Sequence, residues 1–320
     1  MSSNGNWKLG FLLALITALM WGLLPIAMKF LLKVMDPYTL TWFRFSGSLL
    51  ILAPLLASRR KLPSLKRMTR RAIILLAVAS FGLAGNYTLY LLGLDFVSPN
   101  TAQVVIQLAP VLLFLGGIVL FKESIRGIQW AGVVILFGGL LFFFRDRLIY
   151  MAEESRGDLY KGVVLIVLAA VSWMTYALAQ KAALKNLSSE QILVVIYLAA
   201  SLIMLPTAEP QTALSLNPLQ AAFLLFAALN TFIAYGCFAE ALNLWEASRV
   251  SAVIAAAPIF TIFFTKLILQ GDYLDMGKNP DISLLQGFAA GAVVIGSVMV
   301  ALGSRKKVRD PEEVKLSLPE

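Results

Sequence analysis

Apolar residues fall in ten long runs along this chain, at 10–32, 38–57, 72–94, 99–121, 127–144, 160–184, 188–206, 218–242, 248–269 and 283–303. Each is close to the ~20 largely apolar residues that a helix needs to cross a ~30 Å hydrocarbon core. Transmembrane strands would instead show ~10-residue segments of alternating polarity. Backbone groups in lipid must bond within their own segment, which leaves helix as the solution. The pattern predicts an all-α integral membrane protein with ten transmembrane helices.

Composition strengthens this assignment. Of 320 residues, 59% are hydrophobic and 14% charged, against ~45–50% and about 25% in soluble domains. One globular core cannot hide so much apolar surface, and a disordered chain is excluded by the same figures. Cys237 is the single cysteine and there is no histidine, so an internal disulfide, a Cys/His zinc site and histidine acid–base chemistry are all excluded. No G-x-x-x-x-G-K-[ST] stretch marks an ATP site. The segment Met1–Lys8 precedes the first run without a small-residue cleavage site after it, so that run is read as a span and not a signal peptide. No cofactor and no metal are expected.

The net charge of +9 orients the chain. Loop 2–3 carries Arg59, Arg60, Lys61, Lys66, Arg67, Arg70 and Arg71, and the tail carries Arg305, Lys306, Lys307, Arg309 and Lys315. With both on the cytoplasmic face, ten crossings place both termini inside and the cations there outnumber those outside, as the positive-inside rule requires. The excess is an orientation signal and not a nucleic-acid footprint.

The chain repeats. A shift of 152 relates Trp21, Lys29, Lys33 and Pro54 to Trp173, Lys181, Lys185 and Pro206. A shift of 148 relates Tyr87 to Tyr235 and Ala109–Pro110 to Ala257–Pro258, and one of 158 relates Gly138 to Gly296. The longer last shift implies an insertion at Gly271–Pro280. Five helices per copy is an odd number, so the second copy enters the membrane inverted, an architecture of secondary transporters with the site at the repeat interface. The expected units are 10–144, an inverted 160–303, and a basic cytoplasmic tail, 304–320.

The stretches G-F-L-L-A-L-I-T-A-L-M-W-G (10–22), L-L-G-L-D-F-V-S-P-N-T-A-Q-V-V-I-Q-L-A-P (91–110), F-K-E-S (121–124) and A-L-N-L-W-E-A-S-R-V-S-A-V-I-A-A-A-P (241–258), with Arg44 in the second helix, resemble the drug/metabolite transporter superfamily in its ten-helix EamA-type branch. The resemblance implies an exporter of small metabolites, amino acids among them, in the bacterial cytoplasmic (inner) membrane. It also implies a cavity between the repeats, lined chiefly by helices 1, 3, 4, 6, 8 and 9.

Polar groups at bilayer depth mark either a solute path or hydrogen-bonded glue between helices. Asn86, Tyr87 and Tyr90 share an arc, Gln103 and Gln107 share a face, and Trp173, Tyr176 and Gln180 share another. Trp21 and Trp173 lie too deep for the interfacial aromatic belt. Asn230 and Tyr235 sit mid-helix on different faces. These residues are the candidate substrate site, with hydrogen bonds to a polar end and rings against an apolar body. Arg44, Pro110, Glu240 and Pro258 are candidates for coupling or gating: Glu240 is the one carboxylate well inside a predicted helix, and prolines inside helices permit bends. Small residues at Gly132, Gly138, Gly139 and Gly287, Gly291, Gly296 suit close packing of helices 5 and 10, within a monomer or a weak homodimer. The leading function is alternating-access export of a small-molecule substrate without an enzymatic step. A metabolite importer or exchanger of the same fold and a non-transporting membrane scaffold are the alternatives.

Overall fold

The computed structural model describes residues 7–64, 68–121, 126–153, 157–245, 247–254, 256–270 and 284–302. The tail 304–320 and the insertion at 271–280 lie outside the described residues. Among those described, regular structure is entirely helical: α1 Trp7–Leu31, α2 Pro37–Ser58, α3 Arg70–Phe96, α4 Pro99–Val105, α5 Leu108–Phe121, α6 Gly127–Glu153, α7 Gly157–Ala183, α8 Ser189–Met204, α9 Pro218–Leu244, α10 Ala247–Ile254, α11 Ala257–Gln270 and α12 Leu284–Leu302, with two short 3₁₀ turns between α8 and α9. Seven helical stretches are long and apolar enough to cross a membrane, α4 and α5 counting together as one, and shorter apolar helices lie at Gly127–Gly139, Ala257–Leu267 and Gly287–Gly296.

Helix starts follow local chemistry. Ser98 accepts from Thr101 N ahead of Pro99, and Asp36 accepts from Tyr38 N and Thr39 N ahead of Pro37. Ser188 and Asn217 form capping boxes with Gln191 and Gln220. Each supplies a partner for first-turn N–H groups that have none within the helix, and proline there loses nothing. At the end of α2 Arg60 turns left-handed at φ 54, with Arg60 N donating to Ala57 O and Lys61 N to Leu56 O, a Schellman stop. α6 continues through Arg145 and Arg147, which the sequence places in a loop; these residues and their neighbours are adequate helix formers once a helix is running.

The runs at 99–121 and 248–269 are each broken. α4 ends at Val105 and α5 begins at Leu108; α10 ends at Ile254 and α11 begins at Ala257. Tight bonds close the breaks, Ala109 N to Ile106 O (2.8 Å) and Ile259 N to Ala256 O (3.0 Å). The cause is proline, whose ring excludes the carbonyl four residues back and brings no N–H. For Pro110 and Pro258 those carbonyls belong to Ile106 and Ile254. The two prolines therefore do not bend continuous helices, as their place within the runs predicts; they sit in the first turns of α5 and α11.

The principal helix pairings join the first half of the chain to the second: α3 with α7, α6 with α12, α1 with α9, and α2 with α8 and α9. Backbones touch where glycine permits it. A Cβ on Gly82 would stand 2.9 Å from Tyr176 N, and one on Gly93 would stand 2.9 Å from Gly162 O, so α3 and α7 run antiparallel in contact. On α6 and α12 a Cβ at Gly139 would meet Val293 N at 2.8 Å, and one at Gly296 would meet Leu136 N at 2.5 Å. Gly138, Gly287 and Gly291 face open space instead, so only part of each small-residue set makes the crossing. Large apolar side chains such as Leu50, Phe81, Val119, Val134 and Phe288 are exposed, a surface suited to lipid and too apolar for water.

Gly296→Ala should destabilise the protein by about 1–3 kcal/mol, because the α6–α12 crossing has to widen. Gly287→Ala on the same helix, with nothing within 4 Å, should leave the thermal transition in detergent at or above the wild-type value. Equal transitions for the two variants would contradict the backbone contact.

Candidate functional site

Between the halves lies a cavity enclosing about 630 Å³ not occupied by atoms, open solvent included; the centre of a water-sized sphere can reach about 80 Å³ of it. One water needs ~10–15 Å³ on that measure, so the space suits a small solute. It is lined by α1, α2, α3, α4, the break between α4 and α5, α5, α7, α9, α10 and the start of α11. Arg44 adds the second helix to the six implied by the family resemblance.

Eight of the candidate substrate residues line it: Trp21, Asn86, Tyr87, Tyr90, Gln103, Gln107, Trp173 and Tyr235. Repeat-related residues share the lining. Trp21 and Trp173 both line it, as do Tyr87 and Tyr235, Ile106 and Ile254, and Ala109 and Ala257. The indoles meet edge to face at 5.7 Å, and Tyr87 and Tyr235 lie at 5.6 Å. Phe238 closes the aromatic group, 5.4 Å from Trp21 and 5.2 Å from Trp173.

Most lining residues from α1 and α3 belong to the C-terminal halves of those helices. Toward the other end, past Trp173 on α7, come Tyr176 and Gln180. Both are fully buried and neither lines the cavity. The Tyr176 hydroxyl and both amide atoms of Gln180 are buried without a hydrogen-bond partner of good geometry.

The polar wall has an internal frame. Thr231 Oγ1 accepts from Arg44 Nε (3.1 Å) and from Tyr87 Oη (3.1 Å), and donates to Ala227 O (3.0 Å). The Arg44 guanidinium lies over the Tyr87 ring, 3.9 Å from its centroid, and that ring stacks on Phe45 at 4.5 Å. Tyr197 Oη donates to Thr231 O (3.0 Å). Asn86 Nδ2 donates to Ala169 O (2.9 Å), fixing α3 to α7, and Tyr90 Oη donates to Gln103 Oε1 (3.4 Å). Gln107 Oε1 and Trp21 Nε1 have no protein partner although buried. Unsatisfied polar atoms beside a cavity are where a ligand or water gains most.

Asn230 is fully buried outside the lining, its Nδ2 donating to Met20 O (2.6 Å) to tie α9 to α1. Pro110 lines the cavity and Pro258 does not. Glu240 stands apart as well. Its carboxylate accepts from Ser189 Oγ (2.8 Å) in the first turn of α8 and from Asn243 Nδ2 (3.2 Å), a favourable place for an anion beside a helix N-terminus. Lys29, half-buried, donates to Leu94 O and Asp95 O (both 2.8 Å), capping the end of α3.

Thr231, Tyr197 and Phe238 escape the reading of motifs. The repeat carried a signal for Phe238, because adding 148 to Tyr90 reaches it. Thr231 and Tyr197 are ordinary residues inside apolar runs, and only their cross-helix bonds distinguish them.

A family model described as the EamA-like transporter family matches the chain over residues 8–145 and again over 160–302. The chain is 39% identical over 298 residues to the uncharacterized inner membrane transporter YhbE of Escherichia coli K12, covering 93% of this chain and 92% of that protein. Against an uncharacterized transporter of Haemophilus influenzae it is 36% identical over 297 residues, covering 93% and 96%. A solved crystal structure shares the fold, with TM-score 0.69 at 19% identity over 93% of this chain and 98% of the other. With both matched segments containing the lining residues, this chain belongs to the EamA-like transporter family of membrane transporters.

Proposed function

We propose that this protein is an alternating-access secondary transporter that exports small metabolites, amino acids being the nearest class, across a bacterial inner membrane. Ten crossings form two five-helix repeats, 10–144 and 160–303, of opposite orientation, with both termini and the basic tail 304–320 cytoplasmic. The observation that carries this reading is that one cavity is lined by both members of four repeat-related sets, Trp21 and Trp173, Tyr87 and Tyr235, Ile106 and Ile254, and Ala109 and Ala257. Helix contacts support it by occurring in exchange-related pairs. Swapping the halves turns α3–α7 into α9–α1, α2–α9 into α8–α3, and α1–α11 into α7–α5, and all six contacts are present. Broken helices at the repeat interface are a recurrent feature of such transporters.

The mechanism follows from the aromatic group. Trp21, Trp173 and Tyr235 line the cavity with Phe238 packed behind the two indoles, and on the topology assigned from the charges the lining from the C-terminal halves of α1 and α3 lies toward the outside. Rocking of the halves parts these rings and hydrates the buried atoms of Tyr176 and Gln180, which would then line the inward-facing path. Pro110 and Pro258, at matched half-helix starts, are the points where each half yields. Glu240 has no part in coupling on this account, because Ser189 and Asn243 already bind its carboxylate outside the cavity. The inner-membrane location rests on the relatives named above and on the apolar helices.

In proteoliposomes given a labelled amino-acid and metabolite panel, with and without a pH gradient, at least one solute should be carried. Trp21→Ala and Trp173→Ala should each lower its transport about tenfold, the scale of losing a central aromatic anchor, with near-normal expression and folding. Wild-type rates in both variants would contradict a central aromatic site. In a Cys237→Ser background, Gln180→Cys should react with an impermeant thiol reagent from the cytoplasmic side only, and Gln103→Cys from the outer side only. Labelling of both from one side would exclude alternating access.

A further inference from the structure

The two walls of the cavity differ in polarity. Asn86, Tyr90, Gln103 and Gln107 line it from the first half, whereas the residues that a shift of 148 matches to them in the sequence are Ala234, Phe238, Ser251 and Ala255, and the second half lines it with Trp173, Tyr235, Ile254 and Ala257; Arg44, shifted by 152, is matched by Ile196. The polar wall also carries the charge. Arg44 is 2% exposed and borders the cavity.

A cation at this depth is costly unless an anion accompanies it. The partners of Arg44 are all neutral: the Thr231 hydroxyl, and the Tyr87 ring and hydroxyl. Among the described residues, the ion pair within 4.0 Å is Arg59 with Glu190, far along the chain from Arg44, and no lining residue is acidic. Lys29, the other cation nearby, is already bound by two carbonyls of α3. Nε is on Thr231 and the guanidinium face on Tyr87, so these partners leave the positive charge without a carboxylate, and a guanidinium bordering a cavity can take one in two parallel bonds. Buried Gln107 Oε1 and Trp21 Nε1, both unpartnered, complete an acceptor and a donor around the same space.

We infer that the transported solute is an organic monoanion, a carboxylate with an apolar body, whose carboxylate binds Arg44 while its body rests on Trp21, Trp173 and Ile254. One cation matches one negative charge; a phosphate dianion would bring a second charge with no partner. This assignment rests on the proposed transport cavity; it replaces the zwitterionic amino acid by a carboxylate without an ammonium group, for which the lining has no acidic partner, and it moves Arg44 from a gate to a substrate-binding residue.

The test uses the purified full chain in detergent at neutral pH and reads the thermal transition against concentration of phenylacetate, its neutral isostere phenylacetamide, and phenyl phosphate. Phenylacetate should raise the transition with an apparent affinity about tenfold or more above that of the amide, the scale of a charge-assisted bond. Arg44→Gln should abolish that preference and Arg44→Lys should retain part of it. The wild-type comparison stands even if neither variant folds. Equal effects of acid and amide, a preference that survives Arg44→Gln, or tighter binding of phenyl phosphate would overturn the monoanion assignment and leave the cavity standing. No effect of any of the three would overturn both.

Discussion

Inside a bilayer a polar group has no water to fall back on, and this constraint shapes the molecule at every level. It makes the regular structure of the described residues entirely helical. It then recruits hydroxyls and amides as ties between helices: Thr17 Oγ1 donates to Ala234 O, Ser48 Oγ to Ala228 O, Ser172 Oγ to Gly82 O, Asn230 Nδ2 to Met20 O and Thr261 Oγ1 to Gly22 O. Each tie binds a residue of the first half to one of the second. Many fall where glycine or alanine lets the helices approach closely, because a short side chain reaches a neighbouring carbonyl only there.

Some buried polar atoms have no such tie, among them Thr41 Oγ1, Ser201 Oγ, Asn230 Oδ1 and Trp245 Nε1, and a further group lies around the cavity. Trp21 Nε1 and Gln107 Oε1 lack partners beside the cavity, and Tyr176 Oη and Gln180 lack them on its far side. Unpaired polar atoms on both sides of one aromatic group raise the energy of a single closed arrangement. In the proposed alternating-access cycle, a pair of arrangements would each hydrate one set and share that cost. Such a two-state element is what a substrate can bias, provided it binds the states differently.

Much of this was legible in the sequence. Apolar runs marked the helix positions to within a few residues, except where α6 continues beyond its run, and Ser98–Pro99 marked a helix start. The matched identities picked out Trp21, Trp173, Tyr87 and Tyr235, which meet at the cavity. Depth was less legible. Helical spacing gives the direction of a side chain and not its level, so Tyr176 and Gln180 share a face with Trp173 yet do not line the cavity. The broken helices were hidden because the long runs at 99–121 and 248–269 carry no loop-like stretch at Ile106 or Ile254. Arg44 had no periodic companion to reveal its face, and Thr231, which fixes its orientation, carries no compositional signal.

The central claim is that two inverted halves rock about one site. Pulsed spin-label distances test it most directly, in reconstituted protein with Cys237 replaced by Ser. One label pair sits at Val34 and Tyr160 and a second at Leu9 and Lys185, all exposed. The account predicts two populations, in which the first distance lengthens as the second shortens. A single unchanging distance for both pairs, in the presence and absence of a transported solute, would contradict it.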